Sequence, residues 1–425
     1  MNRKKLNAIP QIRDLDIHEV GARGDGLATA GSGDRIYVPL TLAGERVRAS
    51  VTGDRGEVQA VLEPSPERVE PPCRHFGACG GCSLQHWNLE GQLDWKADQV
   101  RRALAREGLE TDMRAAVATP RGSRRRVALH ARPGRDGTAR LGFKGRRSWS
   151  LTEIEICLVA DPAIVAALPG LRTLAAAFLD HPKSAPTLRV TVTETGLDVE
   201  VTGVERKSGG LSVDRRMQAA ETAGALDLAR LTLGGELIYQ ARRPWVRVGP
   251  AQVELPPGGF LQAAPAAEAA MQAACLDALQ GATRAADLFC GLGAFALPMA
   301  ARVPVLAADA AGDAVEALKA AAVRTPGLKP IQAMTRDLFR EPVSAMELKG
   351  CDVIVFDPPR AGGLEQAREI AISDAARAVG ISCNPTTFAR DARVLVDAGW
   401  RLDHVTPVDQ FLWSAHIELI GVFSR

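Results

Sequence analysis

Ala378-Val-Gly-Ile-Ser-Cys-Asn-Pro-Thr-Thr-Phe-Ala-Arg-Asp391 is the stretch from which the fold of this chain can be read. Ala378 to Ser382 is a short apolar run of the kind that forms a buried strand, and Pro385 ends it. Cys383 therefore falls where a strand gives way to a loop. In open α/β sheets, ligands and chemistry collect at that carboxyl edge. A thiol there is placed as a nucleophile would be. A small buried core cysteine is the other reading, and the local sequence does not decide between them.

Similar strands recur on either side. From about Pro257 the chain alternates Ala-rich helix with apolar strand. Pro265 to Leu279 reads as a helix. Ala285 to Phe289 reads as a strand running into Cys290-Gly-Leu-Gly293, and Val303 to Ala308 as a strand ending in Asp309. Asp352 to Phe356 reads as a strand ending in Asp357-Pro-Pro-Arg360. Val405 to Leu412 and Ile417 to Ser424 read as a closing antiparallel pair. This alternation predicts a doubly wound, mostly parallel sheet.

The ends of those strands carry chemistry. Gly291 and Gly293 let backbone approach a ligand at a helix start. Asp309, sixteen residues beyond Gly293, is placed to accept ribose hydroxyls. Ala296 at the third glycine position leaves a dinucleotide possible. Asp357-Pro-Pro is instead frequent where S-adenosylmethionine-dependent enzymes hold the substrate base.

Upstream, residues 9–63 read as all-β, with Ile36-Tyr-Val38, Val47-Arg-Ala49 and Val58-Gln-Ala-Val61 separated by turns at Gly24-Asp-Gly26, Gly31-Ser-Gly33 and Gly53 to Gly56. That spacing fits a small oligonucleotide-binding barrel. Pro64-Ser-Pro66 and Pro71-Pro72 mark a linker. Cys73-Arg-His-Phe-Gly-Ala-Cys79-Gly-Gly-Cys82 then packs three thiols into ten residues, which suggests a metal or cluster. A zinc site with His75 or His86 is one possibility. No second Cys-x-x-Cys pair follows, and Cys157 can complete an all-cysteine iron–sulfur site, which the spacing favours. Leu89 to Glu107 reads as an amphipathic helix with Leu93, Ala97, Val100 and Leu104 on one side and Gly108 at its end. Arg124 to His130 and Ala139 to Phe143 read as paired strands with outward arginines, and Leu188 to Val201 as further β structure. Leu211 to Arg243 gives no clear pattern. Cys275, Cys290 and Cys351 read as core or helix residues.

Composition sets the frame. A chain of 425 residues with 46% hydrophobic and 24% charged residues fits a soluble protein of two or three domains. The net charge is only +2, yet Arg121 to Arg147 holds ten Lys or Arg and one acid, Asp136. Such a run is a solvated face or a footprint for a polyanion. The basic stretch Met1 to Pro10 has no apolar core behind it, and no apolar run is long enough to span a bilayer. A cytoplasmic protein without membrane contact is expected, its eight cysteines serving as ligands, catalysts or core residues.

Taken together, Asp287-Leu-Phe-Cys-Gly-Leu-Gly293, Asp357-Pro-Pro-Arg-Ala-Gly362, Ser382-Cys-Asn-Pro385 with Ala389-Arg-Asp391, and His416-Ile-Glu418 resemble the RNA 5-methyluridine methyltransferases. The resemblance spans nearly the whole chain. It departs at Ala294, where many relatives have Asn, and at Asp-Pro-Pro-Arg, where many have Asp-Pro-Ala-Arg. It implies a C-terminal class I (Rossmann-like) methyltransferase domain at 257–425 and a central β-rich iron–sulfur domain at 64–256. At 9–63 it implies a small TRAM-type barrel, marked by Val38-Pro-Leu40 and Gly44-Glu45. S-adenosylmethionine and a [4Fe-4S] cluster on Cys73, Cys79, Cys82 and Cys157 are the cofactors so implied. Cys383 is implied as nucleophile and Glu418 as base. Glu418 also stands out by itself, as a carboxylate inside an apolar strand. Gln262, Phe289, Asp357 and Asp337 are implied to line the cofactor and base pocket, with Asp337 toward the adenine. The RNA base must be extruded to reach such a pocket. A monomer acting on 23S ribosomal RNA is expected, with transfer RNA as the alternative.

Three rival readings are weaker. An RNA cytosine-5 enzyme would carry a Cys after the Pro of the Asp357 motif, which is missing here. An amino-group methyltransferase would not need Cys383. A non-catalytic iron–sulfur RNA-binding protein would not need the cofactor edge.

Overall fold

A computed structural model of the protein describes residues 9–30, 33–135, 137–205 and 210–425. The basic N-terminal stretch up to Ala8, Gly31 and Ser32 of the second turn, and Asp136 lie outside them. No helix among the described residues is long and apolar enough to cross a membrane.

The chain forms three main sheets. The first is a six-stranded sheet in the order Gln11–Asp16, Arg46–Thr52, Arg55–Glu63, Arg35–Pro39, Asp25–Thr29, Glu19–Val20. Alternation places Ile36, Val38, Val47, Ala49 and Val51 in one small core. The second sheet has seven strands, in the order Leu151–Glu153, Ala139–Lys144, Arg126–Pro133, Thr187–Thr193, Gly196–Thr202, Arg230–Leu233, Glu236–Gln240. The expected pairing of the arginine-rich strands is found, with Leu141 opposite Ala131. Helices Pro162–Ala176 and Val213–Ala225 contribute Leu171, Leu174, Ala219 and Ala223 to its core.

The third sheet carries the strands that the C-terminal sequence pattern predicts. Its order is Ile331–Thr335, Val305–Asp309, Ala285–Leu288, Val353–Phe356, Arg377–Ser382, Glu418–Ser424, Arg401–Asp409. The strands from Ile331 to Ser382 in that order run parallel. Glu418–Ser424 is antiparallel to both of its neighbours. The order reverses beside Ala285–Leu288, and such a switch point opens a crevice at the carboxyl ends.

Two earlier pieces of chain complete this unit. Asp112–Met113 and Val117–Ala118 pair in parallel with Arg401–Asp409. The helix Leu89–Arg106 buries Val100, Ala103 and Leu104 against Ile354, Phe388 and Trp400. Burying Val100 and Leu104 contributes about 1.5–3 kcal/mol each. The buried face is displaced from the apolar stripe of the sequence. Val100 and Leu104 are covered, Leu93 and Ala97 only half so, while Gln92, Trp95 and Lys96 are inside. Polar partners explain the displacement: Gln92 donates to the Trp87 carbonyl, Trp95 to Val20 at 2.9 Å, and Lys96 is paired with Asp409. The hairpin Trp245–Val248 and Ala251–Glu254 packs Val246, Val248 and Val253 into the core that holds Met271 and Phe295.

Candidate active site

Ala378 to Ser382 are fully covered, so Cys383 is the first residue of the strand's path to reach open space, and it is half-buried. The turn behind it is fixed by short-range hydrogen bonds. Asn384 N donates to Ser382 Oγ at 3.1 Å, and Asn384 Oδ1 accepts from Thr386 N at 3.1 Å, capping the helix Pro385–Asp397. Asn384 Nδ2 donates to the Arg360 carbonyl at 3.0 Å, which ties the Cys383 turn to the Asp357-Pro-Pro-Arg360 turn. Burial, then the charges of Glu418 and Asp357, push the Cys383 thiol up to about 11. The thiol is therefore protonated near neutral pH, and any use of it as a nucleophile requires loss of that proton.

Glu418 opens its strand, only 6% exposed. Burial, then the charge of Asp357, raises it from an ordinary 4.5 to about 8, against a hydrogen bond from Gln410. Asp357 is raised to about 7 by burial and by Asp309, opposed by a hydrogen bond from Gln262. Gln262 Nε2 donates to Asp357 Oδ2 at 3.0 Å, and Gln410 Nε2 donates to Gln262 Oε1 at 3.0 Å. Two carboxylates of unlike burial, each retaining its proton to near neutrality, are suited to exchanging protons with a substrate.

The strand ends beyond Asp357 form a cradle. Phe289 adopts φ +65° and Gly291 φ +50°. The Gly291 N–H donates to Asp309 Oδ2 at 2.9 Å, and Asp309 Oδ1 accepts from Ala311 N at 2.7 Å. A side chain added at Gly291 would meet nothing within 4 Å, so the backbone lies open to a ligand. Asp337 accepts from Phe339 N at 3.0 Å, and the Phe339 ring lies 5.7 Å from that of Phe289. One cavity of about 890 Å³ is lined by Gln262, Phe289, Gly291, Asp309, Asp337, Asp357, Cys383 and Glu418. Its size and mixed lining suit a nucleoside cofactor together with a base.

Gly293 is the exception. It lies outside that lining, at φ +86°, where a Cβ would come within 2.5 Å of Leu318 Cδ1. Its role is packing rather than ligand contact. The sequence reading also missed Asp287 and Gln410. Asp287 is fully buried, accepts from Ala296 N at 2.7 Å, and has a second oxygen with no partner among the described residues. Its strand reads as continuously apolar apart from this carboxylate, which was the available signal.

Arg124 to Arg126 are not outward residues. Arg125 donates to the Gln262 carbonyl at 2.9 Å and forms an ion pair with Glu268. Arg126 donates to the Gly258 carbonyl at 3.1 Å, and Arg124 stacks over Phe411. Arg125 and Arg126 clamp the central sheet onto the site, because the loop before helix Pro265–Ala278 supplies the Gly258 and Gln262 carbonyls and the first turn of that helix supplies Glu268.

Cys73, Cys79, Cys82 and Cys157 line a second cavity of about 460 Å³, which also reaches Cys383, Phe411 and His416. Among the described residues no three His, Cys, Asp or Glu side chains stand close enough to hold a metal ion. His86 does not belong to this wall. It is buried elsewhere and pushed down to about 4 by burial and Arg68. His75 does line the cavity, and its Nε2 accepts from Glu155 N at 3.3 Å. The Cys-rich loop is pinned to the central sheet where Gly80 N donates to the Lys144 carbonyl at 3.0 Å.

Comparison with known proteins agrees with this geometry. Residues 251–425 match the family model tRNA (Uracil-5-)-methyltransferase. An uncharacterized RNA methyltransferase of Caulobacter vibrioides is 60% identical over 97% of this chain and 100% of its own length. The 23S rRNA (uracil(1939)-C(5))-methyltransferase RlmD of Halomonas elongata is 32% identical over 96% of this chain and 88% of its own. The fold is shared with the Pyrococcus abyssi tRNA (uracil-54, C5)-methyltransferase crystallised with S-adenosyl-L-homocysteine, at 21% identity and a TM-score of 0.72, over 96% of this chain and 99% of that one. With this likeness over nearly all of its length, the chain belongs to the RNA (uracil-5-)-methyltransferase family.

Proposed function

We propose that the protein methylates C5 of a uridine in RNA with S-adenosylmethionine as methyl donor, Cys383 as nucleophile and Glu418 as base. The observation that carries this reading is the single cavity shared by Cys383, Asp357, Glu418 and Asp309. Carbon 5 of uracil is too weak a nucleophile to take a methyl group unaided. Cys383 Sγ adds to C6, its proton being lost, and the electron pair moves onto the ring as an enolate. S-adenosylmethionine, when bound, supplies an electrophilic sulfonium methyl to C5. Glu418 then removes the C5 proton, the C6–S bond breaks, and Cys383 is released. Phe289, Gly291, Asp309 and Asp337 would hold the nucleoside part of the donor, and Gln262 with Asp357 would face the base.

The Halomonas relative favours 23S ribosomal RNA over transfer RNA as substrate. The reading extends to the N-terminal sheet as a TRAM-type RNA-binding module. It also extends to a [4Fe-4S] cluster on Cys73, Cys79, Cys82 and Cys157. Cys73, Cys79, Cys82 and Cys157 line one cavity, and their four thiolates would hold the cluster. The cluster would fix the Cys-rich loop and take no part in methyl transfer.

The test is direct. Cys383→Ala should abolish methyl transfer and keep cofactor binding, and RNA with 5-fluorouridine at the target should trap the wild type as a covalent adduct. Turnover by Cys383→Ala would overturn the mechanism. Mapping 5-methyluridine in RNA from cells lacking the protein identifies the substrate.

A further inference from the structure

A third cavity, of about 620 Å³, also borders Cys383. Arg23, Lys96, Arg102, Arg106, Arg146, Arg147 and Arg360 line it, and no Asp or Glu among the described residues does. This is a local excess of cations in a chain whose net charge is only +2. Cys383 and Arg360 are common to all three cavities, so this one shares a wall with the reaction site.

The excess is built in. Asp25, 2% exposed, is the one carboxylate that Arg55, Arg146 and Arg147 share. Three guanidiniums around one carboxylate leave two charges over. Arg102 is paired with Glu19 and Asp98, and Lys96 with Asp409. Arg23, Arg106 and Arg360 have no ion pair among the described residues. The walls come from the turn before Asp25–Thr29, the Cys-rich loop, the helix Leu89–Arg106 and the turn after Ala139–Lys144. Trp95, bonded to the Val20 carbonyl, holds the helix to the first sheet and so keeps these walls together.

We infer that this cavity is the channel for the phosphodiester backbone flanking the target nucleotide, with Arg23 and Arg106 as its free phosphate contacts. The inference rests on the proposed RNA substrate. It adds to Arg124 and Arg126, which line the reaction cavity, a second group of cations bordering Cys383, while Arg125 is engaged with Glu268. Phosphate contacts position a strand without reading its sequence, and each one releases counterions.

The test is an equilibrium titration of a labelled RNA hairpin with uridine in its loop, at several salt concentrations and without cofactor. The Arg23→Ala/Arg106→Ala double variant should bind on the order of tenfold more weakly and lose about 1.4 from the slope of log affinity against log salt. Its affinity for S-adenosylmethionine should stay at the wild-type value. An unchanged slope, or a parallel loss of cofactor affinity, would overturn the channel. The measurement needs no turnover, so it stands apart from the 5-fluorouridine trap, which tests the chemistry of Cys383.

Discussion

Gln410 turns its amide nitrogen, not its oxygen, toward Gln262: Nε2 lies 3.0 Å from Gln262 Oε1. The cause is one backbone group. Ala263 N–H, which can only donate, lies 2.8 Å from Gln410 Oε1. Gln410 must therefore present nitrogen on its other side, Gln262 must meet it with oxygen, and Gln262 then has nitrogen for Asp357. Gln410→Glu places an acceptor against an acceptor. Methyl transfer should slow about tenfold to a hundredfold, the worth of one to two buried hydrogen bonds, with cofactor affinity little changed. Single-turnover rates beside equilibrium cofactor binding check this, and wild-type rates in the variant would exclude the relay.

Glu418→Gln should attack the ring, transfer the methyl group and then stall. A covalent methylated RNA adduct should accumulate on a denaturing gel. Normal release would assign the proton to another group.

The same residue gives a pH signature. With Glu418 raised to about 8 and Asp357 to about 7, the folded protein binds protons that the unfolded chain has already lost. Stability from these sites is complete below the ordinary carboxylate range and is lost as pH rises through 7 and 8. Product release should quicken over the same interval, because the base must be ionised. Thermal melts from about pH 5 to about pH 9 should fall with pH in the wild type and fall less steeply in Glu418→Gln. Parallel curves would show that Glu418 does not hold a shifted proton.

Lys96 and Asp409 form an ion pair with both side chains covered. Thr119 Oγ1 donates to the Asp409 carbonyl at 2.6 Å, so this point anchors the chain just before Gln410. Lys96→Met strands a buried carboxylate and should cost about 3–5 kcal/mol in a denaturant melt. Lys96→Met/Asp409→Asn removes both charges and should recover much of that loss. Equal loss in both variants would mean that packing, not charge, sets the cost.

Protein purified without oxygen should be brown and carry about four iron atoms. Cys157→Ser should lose them together with some solubility, since the Cys-rich loop would be left on the central sheet by hydrogen bonds such as Gly80 N to the Lys144 carbonyl alone. One zinc and no iron in the wild type would replace the cluster by a zinc site.

Much of the site was legible because its parts fall at strand ends, where residue order and apolar runs give position. Cys383, Asp309 and Asp357 were placed that way, and Glu418 showed as a charge in an apolar strand. Gln410 gave no signal, since a lone Gln after a strand is ordinary and its meaning lies in the Ala263 N–H far off in sequence. Leu211 to Arg243 was opaque for a related reason. Its strand Arg230–Leu233 begins with a buried arginine, satisfied by a two-point pair with Asp198 at 2.8 and 2.7 Å. Its helix Val213–Ala225 buries only Ala219 and Ala223, too little for an apolar stripe. Arg124 to Arg126 were misread as outward because a local count of charge does not reveal which heads meet protein groups.

The small parallel pairing of Asp112–Met113 and Val117–Ala118 with Arg401–Asp409 has a consequence for dissection of the molecule. The segment matching the family model, 251–425, is not a separable piece. Excised there, it would lose the cover of helix Leu89–Arg106 and leave Arg401–Asp409 as a bare border strand, open to stacking with other copies. A soluble catalytic fragment must therefore start upstream of Leu89, or be supplied with residues 89–119 as a second peptide to re-form the seam.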